Sequence, residues 1–281
     1  MIRLDGCRAL ITGASAGIGC EFARQLADRA SALVLVARRE QRLEELRTEL
    51  IARHPQLRVE ICKMDLAEHS TLDQLTEWLG ERGLPIDLLV NNAGLGDIGS
   101  FATSDPGRTE MMLEVNVVAL TRLARAFLPA MIARGEGGIL NVSSSASFLP
   151  IPNFAVYAAT KAYVTSFSEA LRSELHGTGV HVSALCPGPV HTEFSEVARR
   201  EGSRAQSEPE IAYVSVEAVV AEALKGIEKN RPIVIPGALM KFGMSLVRLI
   251  PLPVLRLAGR GYAKQEDGSS QVSWSWSRQF P

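Results

Sequence analysis

The chain runs to 281 residues, 46% hydrophobic and 22% charged, and its 30 Lys and Arg nearly balance 31 Asp and Glu for a formal net charge of −1. Such a chain can bury one large core, and nothing in its charge argues for a nucleic-acid-binding surface. The four cysteines (Cys7, Cys20, Cys62, Cys186) lack C-x-x-C or metal spacing and the five histidines form no H-E-x-x-H pair, which predicts reduced thiols and no metal site. No basic-then-apolar leader precedes Arg8, so a cytoplasmic location is expected.

Short runs rich in Val, Ile and Leu occupy 8–12, 32–37, 58–62, 86–91, 138–143, 180–185 and 233–235, and their nearly unbroken apolar character predicts strands covered on both faces. Helical patterns fall between them at 17–28, 41–53, 70–82, 105–133, 155–176 and 215–229. The alternation predicts an α/β fold over residues 1–237, a single doubly wound (Rossmann-type) parallel sheet with helices on both faces. Ligands of such sheets bind beyond the carboxyl ends of the strands, so chemistry is expected just after each one.

The first strand ends in Thr12-Gly13-Ala14-Ser15-Ala16-Gly17-Ile18-Gly19 and leads straight into a helix. Glycine lets backbone turn with positive φ and approach a phosphate, and the helix start offers N–H groups and a positive dipole end to a pyrophosphate. The second strand is followed by Arg38-Arg39. An acidic residue there accepts from a ribose 2′-hydroxyl, whereas arginine pairs with a 2′-phosphate, which favours NADP(H) over NAD(H). Asp65, after the third strand, suits either the adenine amino group or a helix N-cap.

Tyr157 and Lys161 stand four apart on a predicted helix and so share a face. A free phenol, with a pKa of ~10, is a poor base near neutral pH, and a neighbouring ammonium is expected to lower that value. Ser144 precedes Tyr157 by thirteen residues, just past the strand 138–143, among Ser143, Ser145 and Ser147.

With Asn91-Asn92-Ala93-Gly94, Asn116 and Pro187-Gly188-Pro189-Val190, these residues appear in order at strand and helix ends, and over residues 5–235 the chain resembles the short-chain dehydrogenase/reductase family. The resemblance implies an enzyme that moves a hydride between nicotinamide and a carbonyl or alcohol carbon. Tyr157 would be the general acid in reduction and base in oxidation, and Lys161 would bind the nicotinamide ribose and tune Tyr157. Ser144 would orient the carbonyl, and Asn116, at a kink in its helix, would hold a water linking Lys161 to solvent. The implied cofactor set is Gly13, Ser15, Gly17, Ile18 and Gly19, then Arg38, Arg39, Asp65 and Leu66, then Asn92, Ala93 and Gly94. Tyr157, Lys161, Pro187, Gly188, Val190 and Thr192 complete it. Ala16 stands where NADP-preferring relatives carry a basic residue, which leaves the 2′-phosphate to Arg38 and Arg39.

The segments 95–101, 148–154 and 193–212 are expected to shape the substrate pocket, and Phe101, Phe148, Leu149, Ile151, Phe154 and Phe194 point to a hydrophobic carbonyl compound or alcohol such as a 3-oxoacyl or sterol-like ketone. The charged stretch 196–210 reads as a lid or a loop. An apolar, basic extension at 238–263 is broken by Pro251 and Pro253, so it cannot span a membrane. It suits a membrane surface through 238–261, a cover over the pocket, or packing on the body or a second subunit. Residues 264–281, with Trp274 and Trp276, form a loose tail. The resemblance also implies a homodimer or homotetramer built through the long helices 105–133 and 155–176. Two rival readings are a non-catalytic NADP(H) sensor and a membrane-associated scaffold built around 238–261.

Overall fold

The computed structural model describes residues 2–200, 213–247, 249–251 and 253–256. The predicted lid lies largely outside these residues, and the tail 264–281 wholly so.

Seven strands form one sheet: β1 (Arg8–Thr12), β2 (Ala32–Ala37), β3 (Arg58–Lys63), β4 (Leu88–Asn91), β5 (Gly137–Val142), β6 (Val180–Leu185) and β7 (Ile233–Val234). Their order across the sheet is β3-β2-β1-β4-β5-β6-β7, and every pairing is parallel. Successive side chains of a strand point to opposite faces. Thus Leu33 and Leu35 enter one apolar cluster with helices α1 (Gly17–Ala27), α2 (Glu40–Arg53) and α8 (Val216–Glu228). Val34 and Val36 enter the other, under α3 (His69–Glu81), α5 (Leu120–Arg134) and α6 (Ala155–Glu174). Burial on both faces is why these strands read as continuous apolar runs. The fold is the doubly wound sheet expected from the alternation.

The differences are local. The strand predicted from 86 starts at Leu88, where the Asp87 carboxylate takes the Arg8 backbone N–H at 3.0 Å and the Arg8 guanidinium at 2.7 Å. The helix predicted over 105–133 is composite: α4 (Pro106–Leu113) passes through a π-helical turn at Glu114–Ala119 into α5. Asp105 caps α4 by accepting from the Arg108 N–H at 2.6 Å. Residues 196–198, read as part of a lid or loop, belong to a short helix α7 (Glu193–Ala198), and the extension opens with α9 (Ala238–Val247).

The sheet order changes direction between β1 and β4: β2 and β3 lie to one side, β5 to β7 to the other. The loops leaving β1 and β4 therefore part at their carboxyl ends and open a crevice.

Candidate active site

The crevice is built first from backbone. Gly13 turns with φ +66°, and Gly19, one turn into α1, packs so closely that an added Cβ would stand 2.3 Å from the Gly13 carbonyl oxygen. Asn92 fastens this loop to the one after β4. Its Nδ2 donates to the Thr12 carbonyl at 2.9 Å and the Gly13 carbonyl at 3.3 Å. The backbone N–H groups of Asn92 and Ala93 donate to Thr12 Oγ1, each at 3.0 Å. The N-cap of α1 is Ala16, whose side chain caps nothing, so the positive end of the helix is turned to the crevice without a competing side-chain acceptor. Glycine backbone and an uncapped helix start fit a pyrophosphate.

The two arginines after β2 part company. Arg38 is exposed and stands 3.7 Å from Asp65. Arg39 reaches across the glycine loop, donating to Ser15 Oγ at 3.2 Å and pairing with Glu193 of α7 at 2.8 Å. This pairing holds the Glu193 carboxyl below its usual range. Asp65 accepts from the Ala67 N–H at 3.0 Å, a turn onto its own backbone. The N-cap of α3 is Glu68, so the cap alternative for Asp65 is corrected. Leu66 is buried beside Ala93 and Val115.

Tyr157 and Lys161 both lie buried on the inward face of α6, with Lys161 Nζ 5.6 Å from the centre of the phenol ring and donating to the Val142 carbonyl at 2.9 Å. Ser144 is the hydroxyl that acts on the phenol, and its Oγ accepts from the Ala146 N–H at 3.1 Å. Ser143 turns the other way, donating to the Lys161 carbonyl at 2.8 Å. Alternation along the strand end thus singles out one serine from the cluster. Burial pushes the Tyr157 phenol up to about 12, with Ser144 pulling the other way, and pushes the Lys161 ammonium down to about 8. The expectation of a phenol lowered by its lysine is not met here. Desolvation dominates, and the ammonium is turned to a backbone carbonyl.

Asn116 sits fully buried in the π-helical turn. Its Oδ1 accepts from the Leu95 N–H at 2.8 Å, and its Nδ2 donates to the Leu95 carbonyl at 2.9 Å and to Thr160 Oγ1 at 3.0 Å. Gly94 lies between the two polar groups: an added Cβ would stand 3.3 Å from Lys161 Nζ and 3.4 Å from Asn116 Oδ1. The kink expected at Asn116 is this π turn, whose wider winding carries the side chain toward the loop after β4.

Around the phenol the lining is apolar. Phe154 stacks on Tyr157 with ring centres 4.1 Å apart, and Phe194 lies tilted at 5.4 Å. Leu95, Ile151 and Met112 pack in the same cluster. Phe101, expected among them, is exposed at the edge, while Phe148 and Leu149 are half-buried. The loop after β6 crosses above: Val190 is buried, the Thr192 methyl packs on Gly17, and Gly188 lies under Met240 of α9.

One cluster escaped sequence reasoning altogether. Buried Asp97, in the loop after β4, receives Arg200 from beyond α7 and Arg108 from α4. No local pattern marks three residues so far apart. Among the described residues no group of three or more His, Cys, Asp or Glu could hold a metal.

The sequence profile of the family described as short chain dehydrogenase matches residues 8–202. Sulfoacetaldehyde reductase 2 of Chromohalobacter salexigens is 38% identical over 201 residues, covering 71% of this chain and 78% of that protein. Among solved structures, a short-chain dehydrogenase from Sphingobium yanoikuyae in complex with NADPH is 31% identical, with a TM-score of 0.76 over 96% of this chain and 99% of that one. A bulky-bulky ketone specific alcohol dehydrogenase from Comamonas testosteroni is 27% identical, with a TM-score of 0.72 over 96% and 97% of the two chains. Profile, identity and whole-chain likeness agree with the crevice just described, and the chain belongs to the short-chain dehydrogenase family of oxidoreductases.

Proposed function

We propose that the protein interconverts a bulky apolar ketone and its alcohol with NADP(H). The observation that carries this reading is the buried Tyr157 phenol packed against Phe154 and Phe194, with the Ser144 hydroxyl acting on it and Lys161 one turn along the same helix. When bound, the cofactor supplies or accepts the hydride at its nicotinamide ring.

Everything else falls to the chain. Tyr157 holds the proton for the substrate oxygen, and a phenol pushed up to about 12 remains loaded as an acid through the neutral range, as carbonyl reduction requires. Ser144 Oγ donates to the same oxygen and stabilises its developing charge. Lys161 holds the nicotinamide ribose hydroxyls and, as a cation, eases loss of the Tyr157 proton in the reverse direction. Asn116 and Gly94 position Lys161 from the β4 side. Gly13, Ser15, Gly17, Ile18 and Gly19 take the pyrophosphate at the head of α1.

Arg38, exposed beyond β2, takes the 2′-phosphate, with Arg39 steadying the loop. Asp65, Leu66, Asn92 and Ala93 line the adenosine side, and Pro187, Gly188, Val190 and Thr192 close over the nicotinamide.

The apolar lining favours a ketone like that named for the Comamonas enzyme, and a 3-oxoacyl or sterol-like compound is of this kind. A sulfonate of the kind named for the Chromohalobacter relative needs a cation in the lining. Arg108 and Arg200, at its edge, are turned onto Asp97. A pure NADP(H) sensor has no use for an apolar pocket with a proton donor at its floor. We assign residues 1–237 to the catalytic domain and 238–263 to an extension upon it. The assembly is a homodimer or homotetramer through α5 and α6, and the location is the cytoplasm, which suits the four free thiols.

The test is NADPH consumption by the purified protein against ketones, aldehydes and acyl thioesters, with NADH alongside. Turnover of bulky apolar ketones is expected. Turnover confined to small anionic aldehydes removes the substrate assignment.

A further inference from the structure

Helix α9 is apolar on two sides. Met240, Met244 and Val247 are half-buried, and Met240 covers Gly188, where an added Cβ would stand 2.4 Å from its methyl group. The helix also touches the turn Ser145–Phe148 that follows Ser144. On the opposite side Leu239, Phe242 and Leu246 are 60%, 65% and 49% exposed. Their i, i+3, i+7 spacing makes one continuous stripe, which Leu249, Ile250 and Val254 extend past the helix. Exposed apolar surface of this extent marks a docking face.

Charge selects what docks. From position 229 to 265 the sequence contains no Asp or Glu, while Lys241 and Arg256 stand exposed along the stripe. A second copy packed on this face about a two-fold axis would set each basic residue near its own mate, with no carboxylate in the segment to neutralise it. A bilayer bearing anionic headgroups meets both demands, acyl chains for the stripe and negative charge for its borders. We propose that the outer face of α9, with the turn after it, docks this protein on an anionic lipid surface. Docked so, the cleft mouth beside Gly188 faces the bilayer and can draw an apolar ketone or alcohol from it. That last consequence rests on the substrate reading above; the docking does not.

The experiment is cosedimentation of the full chain with vesicles of phosphatidylcholine alone or mixed with phosphatidylglycerol, at physiological ionic strength. Binding to the mixed vesicles and little to the neutral ones is expected. The Leu239→Ser/Phe242→Ser/Leu246→Ser variant should bind the mixed vesicles at least about tenfold more weakly, and Lys241→Glu/Arg256→Glu should lose the anionic preference. Circular dichroism and NADPH binding verify that both variants stay folded. Equal sedimentation of parent and triple variant, or equal binding to neutral vesicles, overturns the proposal. So does a native mass by light scattering that falls in the triple variant, since it gives the stripe to a second copy. Docking without turnover of any apolar ketone would instead remove the substrate reading alone.

Discussion

Arg200 grips both carboxylate oxygens of Asp97, joining the loop after β4 to the end of α7 across 103 positions of sequence. Arg108 approaches the same carboxylate at 3.3 Å and also donates to the carbonyls of Gly96 and Val197. The three side chains buckle α7, and with it Phe194, against the phenol ring. Asp97 is almost wholly buried, so its Asn variant leaves two guanidinium groups facing a neutral amide. Both guanidinium groups still reach solvent, so the loss costs about 1.5–2 kcal/mol and not the full amount of a buried pair. Asp97→Asn should therefore unfold at lower denaturant and raise KM for an apolar ketone severalfold more than it lowers kcat.

The same pair sets an acid limit. Its hydrogen bond to Arg200 holds the Asp97 carboxyl below the usual carboxylate range. A depressed folded-state value contributes stability that is present above the unfolded value, ~3.9, and is lost as pH falls through the folded one. Denaturation of the parent and of Asp97→Asn, followed from pH 7 down to pH 3, should show a gap that is constant near neutrality and closes below about pH 4. A gap that persists undiminished assigns the loss to packing.

Lys161 titrates with a slope of the same sign, in a higher window of pH. Burial pushes its ammonium down to about 8 from an ordinary value near 10.5. The charged form is the disfavoured one, so its cost is present below pH 8 and is relieved as pH rises toward the unfolded value. Relative to Lys161→Met, the cofactor-free protein should gain stability between about pH 8 and pH 10. Urea midpoints of the two proteins across that interval measure it.

Tyr157→Phe removes the phenolic proton and keeps the ring that stacks on Phe154. Turnover should fall by about a thousandfold or more while NADPH binding changes little. Fluorescence titration beside steady-state rates separates the two. A variant that turns over within tenfold of the parent places the proton donor elsewhere.

Arg38→Asp places a carboxylate where the exposed guanidinium stands. A lost charge-assisted pair with a 2′-phosphate is worth about 1.5–3 kcal/mol, so NADPH affinity should drop by roughly ten- to a hundredfold with NADH affinity nearly unchanged. Equal weakening of both nucleotides would mean that Arg38 supports the loop and reads no phosphate.

Much of the fold was legible because strands covered on both faces have to be apolar at every position, as the burial of all six residues of β2 illustrates. The Tyr157–Lys161 pair was legible because a helix sets residues four apart on one side. Other features were not. Ser144 is singled out only by its offset from Tyr157 in the family pattern; periodicity leaves it and Ser143 alike, and the way β5 ends turns Ser143 onto the Lys161 carbonyl. The family resemblance implies a kink at Asn116, but the helical pattern continues unbroken there, and only the structure shows the kink to be a π turn. Arg38 and Arg39, adjacent in sequence, diverge to Asp65 and Glu193 because they leave the strand in opposite directions.

By itself the sequence determined the elements, their faces and the spacing of residues within each, since these follow from local periodicity and the conformational limits of glycine and proline. Tertiary structure alone decided which distant groups meet, such as Asp97 with Arg200, and how each ionises. Strand order sets those distances. The low dielectric around a buried phenol and ammonium, a property of the packed core, sets their titration more than the spacing between them does.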